Sequence, residues 1–136
     1  MVQNSNDPPP FMNKTFSQIA SDLRSGQLTC RVLVEDYLKR IESKKDLNAF
    51  ITVLGKDKLL ARAGVIDSKI RSNKAGQLAG MVVAVKDAIV VKDERSTAGS
   101  KILEHYTSPY SATAIERLEN EDAIIIGKAN MDEFAM

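Results

Sequence analysis

Two lysines stand where an α/β protein could place reactive groups. Lys86 directly follows the apolar run Met81 to Val85, and Lys128 comes just past a second run, Ala123 to Ile126. Neither run alternates with polar residues, which is the pattern of parallel strands buried on both faces. In open parallel sheets, ligands bind beyond the carboxyl ends of the strands. A lysine there acts as a base only when neutral. From a reference pKa of ~10.4, half-deprotonation at pH 7 needs a drop of about 3 pH units, on the order of 4 kcal/mol. Burial without a compensating anion can supply it. Asp87 opposes this, because a carboxylate beside the amine keeps it charged, yet in a continuing strand the two side chains point to opposite faces. Spacing alone leaves two readings of Lys86: a lysine that snorkels or pairs at a strand end, which is the simpler, and a catalytic base.

The loop holding Ser96, Thr97, Gly99 and Ser100 is the second candidate. Its simplest reading is a turn, and its functional reading is a hydroxyl-bearing flap over the same pocket. The acidic run Glu119 to Asp122 falls at a helix end, where it opposes the dipole, and is expected to be solvated. His105 lies in a polar stretch and is expected at the surface, while Cys30 falls on an apolar helical stripe and reads as a core thiol. One cysteine and one histidine cannot fill a tetrahedral zinc site of the usual ligand types. The chain contains no Gly-x-Ser-x-Gly, Gly-x-x-x-x-Gly-Lys or Gly-x-Gly-x-x-Gly, so histidine-dependent serine hydrolases, phosphate-cradling loops and dinucleotide folds lose support.

These groups need a scaffold, and 136 residues with 43% hydrophobic and 27% charged side chains suffice for one globular core. A net charge of +1 offers no basic field for a phosphate backbone. The apolar runs fall far short of the ~20 residues that cross a bilayer. The polar start, Met1 to Pro10, lacks the apolar centre of a signal peptide, so the expected location is the cytoplasm or an organelle matrix.

Residues 1–12 read as a flexible proline-rich tail. Thr15 can cap a helix through Phe16, Ile19, Ala20 and Leu23 that Gly26 ends. Thr29 can cap a second, with Cys30, Val34, Tyr37, Leu38 and Ile41 on one face. A charged loop at Ser43 to Asp46 and an extended segment at Asn48 to Leu54 lead to a third helix from Lys56 to Ser72. After the strand ending at Val85, Ser111 or Thr113 can cap a helix through Ala112, Ile115 and Leu118 that precedes the second strand. Strand, helix, strand is a parallel crossover unit, so the predicted class is α/β.

Four blocks carry a family resemblance: Leu47 to Thr52, Leu78 to Asp87, Thr97 to Leu103 and Gly127 to Met136. In this order and at these separations they resemble the amino-terminal part of the amidase signature family. Within it the likeness is greatest to the branch formed by the A subunits of glutamyl-tRNA(Gln) amidotransferases. The resemblance implies helices preceding and covering a mainly parallel sheet, with residues 13–136 the amino-terminal part of an amidase domain that is incomplete at its carboxyl end.

It also implies a chemistry. The family's catalytic group is a nucleophilic serine, a bridging serine and a lysine, and Lys86 matches the lysine. Met136 matches a methionine lining the glutamine pocket, and Thr97, Gly99 and Ser100 fall on a loop near the site, as substrate-binding candidates. Both serines lie beyond the matched blocks, so the 136-residue chain is expected to be inactive alone. By resemblance, no cofactor or metal belongs to this chain, while ATP and Mg belong to a partner subunit. Glutamine is the substrate, subunits B and C are the partners, tRNA is met only through the complex, and no membrane is involved. The alternatives are another hydrolase of simple amides and a non-catalytic chain acting only through partner binding. Two departures stand out: Ala88 where many members have asparagine, and Asp93-Glu94-Arg95 in place of a glycine-containing turn.

Overall fold

The computed structural model describes residues 13–136, and the expected tail at 1–12 lies outside the described residues. The first two helices form where the capping signals put them. Helix α1 (Phe16–Ser25) starts at Thr15, whose hydroxyl accepts from the Gln18 N–H while the Gln18 side chain accepts from the Thr15 N–H. It stops at Gly26, whose φ of 77° is a left-handed conformation that only glycine adopts without strain. Helix α2 (Cys30–Ser43) starts at Thr29, which accepts from the Val32 N–H. A short 3-10 turn (Lys45–Leu47) replaces the expected loop and leads into strand β1 (Phe50–Val53). Helix α3 (Lys56–Arg71) then buries Leu59, Ala63 and Ile66.

Strand β2 (Val82–Lys86), helix α4 (Thr113–Asn120) and strand β3 (Ile124–Ala129) form the predicted crossover, with β2 and β3 parallel. The sheet order is β1-β3-β2 and β1 joins β3 antiparallel. The class is α/β as expected, but the expected mainly parallel sheet is mixed among the described residues, because the extended segment before α3 pairs with β3 in the opposite sense. One core layer lies between the sheet and α1–α3, built on Ile19, Leu23, Leu33, Val34, Leu59, Ile66, Ile124 and Ile126. A smaller one, Val85, Val91, Ile115 and Ile125, fills the space under α4.

Four expectations are corrected. Among the described residues β2 pairs with β3 alone, Ala84 is exposed and only Val85 is fully covered; burial on both faces is found in β3, between the other two strands. Lys128 lies within β3 rather than past it, because β1 and β2 both keep pairing with it as far as Ala129. Neither Ser111 nor Thr113 caps α4: Ala112 takes that position, and the Ser111 hydroxyl instead accepts from the Lys92 N–H. Asp122 is buried rather than solvated. Its carboxylate meets Lys69 at 2.6 Å and Arg62 at 3.4 Å and accepts from the Gly76 N–H, which ties the turn after α4 to α3.

Candidate functional site

Alternation along β2 sorts its side chains into two sets. Val83 and Val85 face the layer under α4, whereas Val82 and Ala84 face α2 and line an apolar groove of about 450 Å³ with Tyr37, Ile41, Phe50 and Ile126. Lys86 continues the second set. It is exposed, and its amine makes no hydrogen bond or ion pair among the described residues, while its carbonyl accepts from the Ile89 N–H. Asp87 falls on the other side and is fully buried, so the two consecutive side chains do point to opposite faces.

The third strand adds a residue that plain alternation would have put elsewhere. Ile124 and Ile126 face α2 and α3, so an even alternation would send Lys128 there too. A bulge intervenes: Val83 pairs with Ile125 but Ala84 pairs with Gly127, which brings Lys128 opposite Val85 and onto the Asp87 side. Lys128 is fully buried there. Its Nζ donates to Ser96 Oγ at 2.8 Å and to the Arg95 carbonyl at 3.3 Å, and lies 3.4 Å from Asp87 Oδ1. Asp87 Oδ2 accepts from both the N–H and the hydroxyl of Thr97, while Oδ1 makes no hydrogen bond among the described residues and faces only the ammonium. Burial pulls the Lys128 pKa below the ordinary lysine value, and the charge of Asp87, with that of Glu94, works against that pull.

The Ser96–Ser100 loop is thereby folded under the sheet end. Thr97 is bound to Asp87, and a Cβ on Gly99 would meet the Met131 carbonyl at 2.9 Å. The Ser100 hydroxyl donates to Glu133 Oε1 at 2.7 Å. Thr97, Gly99 and Ser100 line one polar cleft of about 350 Å³ together with Arg95 and Asn130. The structure brings these three candidates together but not Met136, which is 93% exposed and lines none of these clefts. His105 is exposed. Cys30 is buried, and burial, with the Asp67 carboxylate behind it, pushes its thiol up to about 12.

A Ser–Lys contact such as Ser96–Lys128 has the form of a nucleophile and its base. Here it is sealed from solvent, with Ser96 at 3% and Lys128 at 0% exposure, and its lysine faces a carboxylate. It therefore reads as an internal support. Lys86 meets one half of the condition for a base and not the other: its amine stands at the carboxyl end of a parallel strand with no carboxylate partner among the described residues, but it is exposed, so residues 13–136 do not supply the burial that disfavours its charged form. The pair Asp87–Lys128 is not marked by residue spacing, since its members lie 41 residues apart. The available signal was a lysine closely flanked by apolar residues on the run Ala123 to Ala129. No helix among the described residues is long and apolar enough to cross a membrane.

The sequence model of the Amidase family matches residues 32–136. The A subunit of the glutamyl-tRNA(Gln) amidotransferase from Chlorobaculum tepidum is 48% identical over 122 residues, covering 89% of this chain and 25% of that protein. Its counterpart in Paraburkholderia phymatum is 45% identical over 123 residues, covering 90% and 24%. Among solved structures, the peptide amidase of Stenotrophomonas maltophilia superposes with a TM-score of 0.86 at 26% identity, over 93% of this chain and 26% of that one. An amidase family protein of Bacillus anthracis superposes with a TM-score of 0.81 at 28% identity, over 90% and 25%. The chain spans about a quarter of the length of the curated relatives it matches.

Proposed function

This chain belongs to the amidase family, and on that premise we propose that it is the amino-terminal part of the glutamine amidase subunit of a glutamyl-tRNA(Gln) amidotransferase. In this reading Lys86 is the base. Its neutral amine draws a proton, through a bridging serine, from the serine that attacks the carboxamide carbon of glutamine; ammonia leaves and an acyl-enzyme remains for water to hydrolyse. Both serines come from outside these 136 residues. Subunits B and C are the partners, ATP and Mg act on a partner subunit, the ammonia amidates glutamate on tRNA for protein biosynthesis, and the complex works in the cytoplasm or an organelle matrix.

The observation that carries the reading is the placement of Lys86 at the end of β2, turned away from Asp87 and with no ion-pair partner among the described residues. Identity of 45–48% to the amidotransferase subunits, against 26% to the peptide amidase, favours the first activity over hydrolysis of simple amides. Ammonia release from glutamine by the full-length protein in complex with its partners tests it. Lys86→Ala should lower the rate by roughly 10²–10⁴-fold, and the 136-residue chain alone should release no more ammonia than its own Lys86→Ala variant. A full-length protein that keeps its rate without Lys86 refutes the assignment of the base. Co-purification with two partner subunits separates the amidotransferase from a stand-alone amidase.

A further inference from the structure

Asp87 is the carboxylate closest in sequence to Lys86, and the structure hands it to a different lysine. Lys128 meets it at 3.4 Å on the far face of the sheet, and both are fully buried. The same ammonium also bonds Ser96 Oγ and the Arg95 carbonyl, while Asp87 is fixed by Thr97, and its N–H donates to the Ala129 carbonyl. The end of β2 is thus clamped to β3 and to the loop that follows, with Lys86 on the outer side of the clamp.

We propose that Lys128 is a positioning residue for the base: it cancels the charge of Asp87 and pins the strand end, so that Lys86, which the alternation of the strand already turns to the opposite face, has no uncompensated carboxylate beside it. The proposal rests on the reading of Lys86 as the base. The pair is net neutral whichever partner holds the shared proton, so the cancellation does not depend on where that proton sits. The other charges near the clamp are few. On the Lys128 side, Glu94 is ion-paired to Lys58 of α3, and the Arg95 guanidinium bonds Thr52 Oγ1. On the Lys86 side, the groove carries Arg40, Glu42, Lys44 and Lys45, and the one carboxylate of this set, Glu42, is paired to Lys45.

The test is an NMR pH titration of the full-length protein labelled with 13C-lysine, following the ε-carbon of Lys86 at low ionic strength, with Lys86→Arg to assign the signal. In Lys128→Met the Asp87 carboxylate loses its counter-charge. Acting across the strand on an amine that is itself exposed, at an effective dielectric between that of a protein surface and that of water, it should raise the Lys86 titration midpoint by roughly 0.3 to 1 pH unit. Adding Asp87→Asn should return the midpoint to the wild-type value. An unmoved midpoint in Lys128→Met overturns the proposal. Should that variant not fold, the double variant carries the test, since replacing both partners leaves no unpaired buried charge. Its midpoint must equal that of the wild type, and a lower one means that Asp87 already acts on Lys86 in the native chain. The titration needs no turnover, so its failure leaves the assignment of the base intact. Activity without Lys86 would remove that assignment and leave the charge pairing standing.

Discussion

Replacing Gly127 with alanine should damage the fold far more than the same change at Gly64. The bulge that turns Lys128 inward places Gly127 against β1, where an added Cβ would lie 2.6 Å from the Thr52 carbonyl oxygen and 2.9 Å from the Phe50 ring. Heavy atoms attract at about 3.5 Å, so the methyl group intrudes by nearly an ångström on the backbone of a paired strand, which cannot rotate aside as a side chain can. Overpacking of this kind costs about 1–3 kcal/mol, and a backbone obstacle argues for the upper half, about 2–3 kcal/mol. That corresponds to a Tm lower by roughly 8–12 °C. Gly64 sits inside α3 with nothing within 4 Å of its would-be Cβ. Alanine there lowers the entropy of the unfolded chain and should stabilise by about 0.5–1 kcal/mol. Urea unfolding of both variants, followed by circular dichroism, reads the two effects against the wild type. If Gly127→Ala lies within about 0.5 kcal/mol of the wild type, or Gly64→Ala loses as much as Gly127→Ala, the reasoning from close approach is refuted.

Asp122→Asn should destabilise the chain at pH 7 by about 1–3 kcal/mol, because it leaves Lys69 and Arg62 facing a neutral amide. Burial alone would raise the Asp122 carboxyl, but the hydrogen bonds from Lys69 and the Gly76 N–H and the two positive charges hold it below its ordinary value. A depressed folded pKa contributes stability above the unfolded value near ~4 and loses it as the pH falls through the folded one. The gap between wild type and variant in urea unfolding should therefore close on acidification below about pH 4; a gap independent of pH would contradict the assignment. Cys30, with its thiol at about 12 and its side chain buried, should resist a disulfide-exchange reagent at pH 8 until urea opens the fold, and rapid labelling of the native chain would show the burial to be wrong.

How much of this was legible in the residue order depends on the reach of each interaction. The ends of α1 and α2 were readable because a cap is settled within one turn: Thr15 meets Gln18, Thr29 meets Val32, and Gly26 supplies the left-handed stop. The opposite orientations of Lys86 and Asp87 follow from the period of a strand, and Cys30 and Ile66 follow from the period of a helix. The ordered blocks from Leu47 to Met136 were enough to point to the family.

The partners of the charged groups were not legible. The Lys128 ammonium meets the Asp87 carboxylate across 41 residues, and Lys69 meets Asp122 across 53. Neither pairing leaves a local trace, because an ion pair between distant segments exists only after the sheet and helices have brought them together. The bulge at Gly127 was equally silent, since one displaced residue in a strand changes which face a side chain takes without changing its composition. Sequence alone therefore determined the class, the helices and the lysine at the end of β2. Tertiary structure decided that β2 pairs with β3 alone among the described residues, that Lys128 lies inside the protein with Asp87, and that Lys86 stands free of both, because burial and pairing are properties of neighbours in space.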